Sequence, residues 1–207
     1  MRRLPISPAD PEPASIAAAV DVLKRGGIVA YPTDTLYGLA VDPRSADAVK
    51  RLFDVKGRAE AAAIPLIAAD LDQAQSAGLF GAAELKLASL WPAPVSIVVM
   101  ARAVITPGVL GGGATVAIRV PAHRAARALA SAHGFCVTAT SANLSGARPA
   151  ETADEIADAL EAGIDVLLDG GAVPGGPPST LVEMRAGAPV LLRAGAVAWD
   201  RVIKSLQ

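Results

Sequence analysis

Short apolar runs alternate with amphipathic helical stretches along almost the whole chain, and this alternation restricts the fold more than any other feature of the sequence. A buried strand and an amphipathic helix must each cover an apolar face. When they alternate, the layered solution is a mixed α/β fold rather than a helical bundle or a β-sandwich. Residues 13–25 read as a first helix, with Ile16, Ala19, Val20 and Leu23 on one face and Gly26-Gly27 as the stop. A buried strand follows at 28–31, then a Pro32-Thr33-Asp34-Thr35 loop, then an apolar run at 36–41. Ser45 is a natural N-cap for a helix reaching about Phe53, which leaves Lys56-Gly57-Arg58 in the loop beyond it. Further strands are expected at 64–68, 95–100, 115–120, 135–139, 164–168, 180–184 and 190–193. Helices are expected at 82–90, 123–133 and 152–160, with one more after 193; the first of these is stopped by Trp91-Pro92-Ala93-Pro94.

No repeat or low-complexity tract interrupts this pattern, and 207 residues suit one domain at roughly 100–200 residues per domain. Composition then removes several functions. Aromatic residues make up 3% of the chain, too few for the base-stacking platforms of single-strand binders. Cys136, His123 and His133 are the whole supply of Cys and His, which excludes a disulfide framework and a Cys/His zinc site. A formal net charge of −1 sets up no global field for nucleic acid, so an anionic ligand has to be met by local cations. The start, MRRLPISPADPEP, is broken by prolines and acids, and no later run reaches the ~18 apolar residues of a membrane span. A soluble cytoplasmic protein with no membrane association is expected.

Three polar loops leave the ends of apolar strands, where open α/β sheets place ligands. They are PTDTLYG, with the hydroxyls of Thr33 and Thr35; KGR, with Lys56 and Arg58; and TSANLSG, with Ser141, Asn143 and Ser145. A Lys and an Arg two residues apart offer a point charge and a planar fork to one polyphosphate or carboxylate. Arg119 and Arg193 close two further strands. No Walker-type loop, no strand-linked GxGxxG and no GxSxG elbow is present. Cys136 lies inside an apolar strand and reads as an inert thiol, and the two histidines flank one helix without sharing a face.

Taken together, these segments resemble the YrdC-like threonylcarbamoyl-AMP synthases. The likeness runs from about Ala14 to Arg193 and includes GGIVAYPTDTLYGLAVD, KGR, IPLI, LWPAPVSIVV, TVAIRVP, TSANLSG, PSTLVE and LLRAG. It implies a single-domain α/β fold, a twisted mixed sheet with flanking helices around a concave cleft, with residues 1–13 as an N-terminal extension and 14–207 as the synthase domain. The implied reaction joins L-threonine, bicarbonate and ATP into threonylcarbamoyl-AMP and pyrophosphate, for threonylcarbamoyladenosine formation in tRNA. Mg²⁺ would accompany ATP, with no protein side chain assigned as its ligand, although Asp34 and Asp42 are nearby carboxylates. A tRNA threonylcarbamoyl transferase complex would be the functional partner. Carried over residue by residue, the resemblance puts Thr33, Thr35, Arg119, Ser141 and Ser179 around threonine and its carboxylated amine. It puts Lys56, Arg58, Thr115, Asn143, Ser145, Thr152 and Arg193 around ATP, with Lys56 and Arg58 as the catalytic cations.

The chain departs from the family pattern in one loop. Relatives often read KxRPxxxPL, whereas here Ala59-Glu60-Ala61-Ala62-Ala63-Ile64 separates Arg58 from Pro65; an Asn is lost, as is a His at about Ala69. With the end at Gln207, a short family member without the extra C-terminal domain is expected. The competing readings are an RNA-binding or ribosome-assembly protein that uses the same cleft, with weak RNA binding, and an inactive paralogue of the fold. Near-neutral charge and few aromatics argue against the first; retention of both KxR and SxN argues against the second.

Overall fold

The computed structural model describes residues 1–57 and 62–207. The chain forms an α/β domain whose strands fall into two mixed sheets. The first sheet runs in the order β1 (Arg2–Pro5), β10 (Val166–Asp169), β2 (Val29–Tyr31), β3 (Gly38–Ala40) and β9 (Thr140–Ser141). The second runs β12 (Ala188–Arg193), β11 (Thr180–Arg185), β6 (Val95–Ala101), β7 (Thr115–Arg119), β4 (Leu66–Ile67) and β8 (Val137–Thr138), with β5 (Gly78–Leu79) added to β6. The helices are α1 (Pro13–Lys24), α2 (Ala46–Lys56), α3 (Leu71–Ala77), α4 (Ala82–Ala88), α5 (Arg124–His133), α6 (Ala153–Leu160) and α7 (Trp199–Lys204).

The burial pattern explains why these segments become these elements. Val29, Ala30 and Tyr31 are all buried, so β2 is covered on both faces and reads as a continuous apolar run. The apolar stripe of α1, Ile16, Ala19, Val20 and Leu23, meets Ala125, Ala126, Leu129 and Ala130 of α5 in one core cluster with Tyr31 and Ile67. α2 starts where expected: Ser45 accepts the Ala48 N–H at 3.2 Å, and Gly57 closes the helix in the left-handed region at φ 57°.

Four differences from the sequence reading have identifiable causes. Residues 1–13 were expected to precede the domain, but Arg2–Pro5 pairs in parallel with Val166–Asp169, and Ser15 Oγ donates to Pro5 O at 2.7 Å. Pairing with a buried neighbour makes this strand, and RRLP alone carries no strand pattern. Lys56 belongs to the last turn of α2 rather than to a loop, while Arg58 lies outside the described residues. α3 and β5 were not expected, because α3 buries only Ala74 and Ala77 and shows no apolar stripe. Finally, Thr140-Ser141, read as loop, forms β9: the chain leaves the second sheet after Thr138 and enters the first at Thr140, antiparallel to β3.

Candidate active site

The two sheets face a cleft of about 580 Å³, and the polar loops named above supply much of its wall. One side is built by the β2–β3 connection. The Thr33 hydroxyl donates to Leu36 O at 2.6 Å, and its oxygen accepts the Thr35 N–H at 3.2 Å. Arg119, the last residue of β7, reaches this turn from the other sheet. Its Nη1 donates to Asp34 Oδ1 at 2.8 Å, and its Nη2 lies 3.3 and 3.4 Å from the hydroxyl oxygens of Thr33 and Thr35. Asp34 Oδ2 in turn accepts the Ala122 N–H at 2.9 Å. The side chains of Arg119 and Asp34 are 8% and 10% exposed, so the guanidinium is fixed before any ligand arrives. A buried cation without such a partner would be costly.

The opposite side is built by β6, β11 and β12. Arg193 donates through Nε and Nη2 to Ser179 O at 3.2 and 2.9 Å, and through Nη2 to Ser179 Oγ at 3.1 Å. Ser179 Oγ also lies 2.9 Å from Ser96 Oγ. Among the described residues Arg193 has no carboxylate partner. Burial, with a smaller contribution from the Arg119 cation, pulls its pKa below the ordinary arginine value. Its guanidinium nonetheless stays charged at neutral pH. Of the three arginines on the cleft wall among the described residues, Arg119 and Arg148 are matched to carboxylates, Asp34 and Glu155, and Arg193 is available to an external anion.

The third loop is braced from behind by Lys56. This side chain is buried; its Nζ donates to Asn143 O at 2.8 Å, to Asn143 Oδ1 at 3.2 Å and to Ser141 O. Asn143 Oδ1 also accepts from Ser141 Oγ, while Nδ2 donates to Leu144 O at 2.9 Å and Ala147 O at 2.7 Å. The Ser145 N–H donates to Lys56 O at 2.8 Å. Lys56 and the SxN pair thus form one network that shapes the loop, with Ser141 presented to the cleft and Asn143 turned inward.

Of the residues chosen from sequence, Thr33, Thr35, Arg119, Ser141, Ser179 and Arg193 converge on the cleft. Thr115 lines an adjoining cavity of about 340 Å³ that shares Ser96 and Arg193 with it. Lys56, Asn143, Ser145 and Thr152 are not part of the cleft wall. The Thr152 hydroxyl caps α6, accepting the Glu155 N–H at 3.3 Å in a reciprocal capping box. Asp34 and Asp42 are both engaged, Asp34 by Arg119 and Asp42 by Arg44 at 2.7 Å. The sequence reading missed Ser96 and Glu151. Ser96 was legible as a polar residue inside the apolar run PVSIVV. Tyr37 fastens the loop after β10: its hydroxyl donates to Gly171 O at 2.7 Å and accepts the Gly170 N–H at 3.1 Å. Burial pushes its pKa up to about 12, so it remains a neutral donor. Cys136 is an inert thiol, its pKa raised to about 12 chiefly by burial.

The Sua5/YciO/YrdC family model, described as telomere recombination, matches residues 21–195. A threonylcarbamoyl-AMP synthase of Thiobacillus denitrificans is 40% identical over 174 residues, covering 83% of this chain and 91% of that protein. One from Bacillus subtilis is 35% identical over 202 residues, covering 95% of this chain and 57% of that protein. The crystal structure of P. abyssi Sua5 complexed with L-threonine superposes with a TM-score of 0.93 at 29% identity, over 99% of this chain and 61% of that one. The α/β architecture expected from the motifs is therefore shared with a solved relative across nearly all of this chain, which belongs to the Sua5/YciO/YrdC family.

Proposed function

We propose that the protein is an L-threonylcarbamoyladenylate synthase, a nucleotidyltransferase that converts L-threonine, bicarbonate and ATP into threonylcarbamoyl-AMP and pyrophosphate. The observation that carries this reading is the charge arrangement of one cleft: Arg119 held by Asp34 beside two hydroxyls, and Arg193 facing the same space with no carboxylate partner among the described residues. The names of the relatives support it, as does the L-threonine in the P. abyssi complex.

The chemistry suits these residues. Threonine's amine adds to the carbon of bicarbonate and a C–O bond breaks to release water, giving an N-carboxylate; one of its oxygens attacks the α-phosphorus of ATP, the bond to the β,γ-phosphates breaks and pyrophosphate leaves. No protein nucleophile is needed, and the buried Cys136 thiol is not one. The work falls to positioning and to donors aimed at growing negative charge. Arg119, Thr33 and Thr35 would hold the amino acid, Ser141 and Ser179 would flank its carboxylated nitrogen, and Arg193 would meet the phosphates. Thr115 would serve the nucleotide through the adjoining cavity. Lys56 and Asn143 would act by holding the Ser141 loop in place.

Among the described residues no cluster of three His, Cys, Asp or Glu side chains forms a metal cage, and Glu151 is a carboxylate on the cleft wall. This donor set fits Mg²⁺ carried on substrate phosphates, since that ion keeps several waters and needs few protein ligands. When bound, Mg²⁺ would neutralise charge on the phosphates. The product would pass to a transferase acting on tRNA.

The test is to incubate the purified protein with threonine, bicarbonate and Mg²⁺-ATP and follow both pyrophosphate and the mass of threonylcarbamoyl-AMP. Both should appear, and each should require threonine. Arg193→Ala should lower kcat/KM for ATP about 100-fold. Absence of the adduct at every Mg²⁺ concentration would overturn the reading.

A further inference from the structure

Ser96 stands in β6 at the seam between the cleft and the adjoining cavity, yet its residue is only 2% exposed. Among the described residues its hydroxyl has one partner, Ser179 Oγ at 2.9 Å. A buried hydroxyl keeps its proton bonded because an unmet donor bears the full cost of desolvation. Ser179 Oγ already accepts from Arg193 Nη2 at 3.1 Å, and a hydroxyl oxygen has two acceptor sites. With Ser96 as the donor, both sites are filled. The Ser179 proton then has no acceptor among the described residues and turns to the cleft that Ser179 lines.

We propose that Ser96 is a positioning residue: by donating to Ser179 Oγ it directs the Ser179 O–H at a carboxylate oxygen of the carboxylated amino acid. The inference rests on the synthase reading of the cleft. Two donors on one oxygen also polarise its own O–H bond, so Ser179 becomes a stronger donor than an isolated serine. Ser96 acts through Ser179.

The comparison that isolates the hydroxyl is Ser96→Val against Ser96→Thr, which are close in volume, with Ser96→Ala beside them. Ser96→Val and Ser96→Ala should raise the KM for threonine about tenfold, the usual scale for a hydrogen bond to a charged group, and leave the KM for ATP within about twofold. Ser96→Thr should restore the wild-type value. Ser179→Ala should do at least as much damage as Ser96→Ala, and the double variant should be no worse than Ser179→Ala alone. Calorimetric binding of threonine without ATP gives a readout independent of turnover. Additive effects in the double variant, an unchanged KM in Ser96→Val, or failure of Ser96→Thr to rescue would each overturn the proposal while wild-type turnover upholds the synthase reading. A wild-type protein that neither binds nor uses threonine would overturn both.

Discussion

Asp42 shows how a single residue can carry pH dependence outside the cleft. Burial by itself would raise its pKa. The His133 ring, with Nε2 3.3 Å away, and the Arg44 guanidinium, bonded at 2.9 and 2.7 Å, overcome this and hold the carboxyl well below its ordinary 3.8. A depressed folded-state pKa contributes stability above the unfolded value and loses it as the pH falls through that range. Asp42→Asn should therefore be less stable than wild type at pH 7, with the gap narrowing as the pH falls from about 4 towards 2. Urea midpoints across that range measure it, and a gap that stays constant would contradict the assignment. At this scale the sequence was only partly legible. The Thr33 and Thr35 hydroxyls were visible in PTDT, but nothing local tells that the aspartate between them pairs with Arg119, 85 positions away. Ser96 left a local signal, one hydroxyl inside an apolar run, but its partner Ser179 lies 83 positions away and no local pattern names it.

Among the elements, the segment that follows β12 is held by the one that precedes β11. After Arg193 the chain folds back along the segment before β11: Ala196 N–H donates to Pro178 O at 2.9 Å, and Thr180 Oγ1 donates to Val197 O at 2.7 Å. Gly195 lies so close to this segment that a Cβ would come within 2.5 Å of Ser179 C and Thr180 N. Backbone cannot give way as a flexible side chain can, so Gly195→Ala should displace Ser179 and Arg193 together. We expect a loss of about tenfold or more in kcat/KM, consistent with the steep cost of ~1 Å misplacement. A control at Gly113, where the backbone lies outside the left-handed region and a Cβ would meet only Leu110 O at 3.4 Å, should leave the rate near wild type. Equal rates in both variants would show that the close approach does not matter to the site. Helix and strand types were well legible from periodicity, and Ser45 and Thr152 marked two helix starts correctly. The short pieces, β1, α3 and β5, were not, since partners elsewhere in the chain stabilise them rather than their own pattern.

At the scale of the whole molecule, the contact between the two sheets decides where the site lies. Tyr31, fully buried in β2 of the first sheet, donates through its hydroxyl to Thr138 O of β8 in the second at 2.9 Å. Thr138 Oγ1 answers by donating to Leu39 O at 3.0 Å and accepting the Val41 N–H at 2.9 Å. Burial raises the Tyr31 pKa far above its ordinary value, so the donor is kept at any physiological pH. Tyr31→Phe should cost about 1 kcal/mol in urea unfolding with little change in the slope m. An unchanged midpoint would mean that this hydrogen bond adds nothing to the joining of the sheets. What the sequence determined by itself was chemistry and local structure: the α/β alternation, the cations and hydroxyls at strand ends, and the want of a nucleophile. These follow from residue type and short-range spacing, which are local properties. Only the tertiary structure decided which of those groups face the cleft and which brace it. Lys56 and Asn143 turn into the protein, while Arg193 and Ser179 turn outward. That division depends on the register of two sheets and on contacts between residues far apart in the chain, and local spacing carries no record of either.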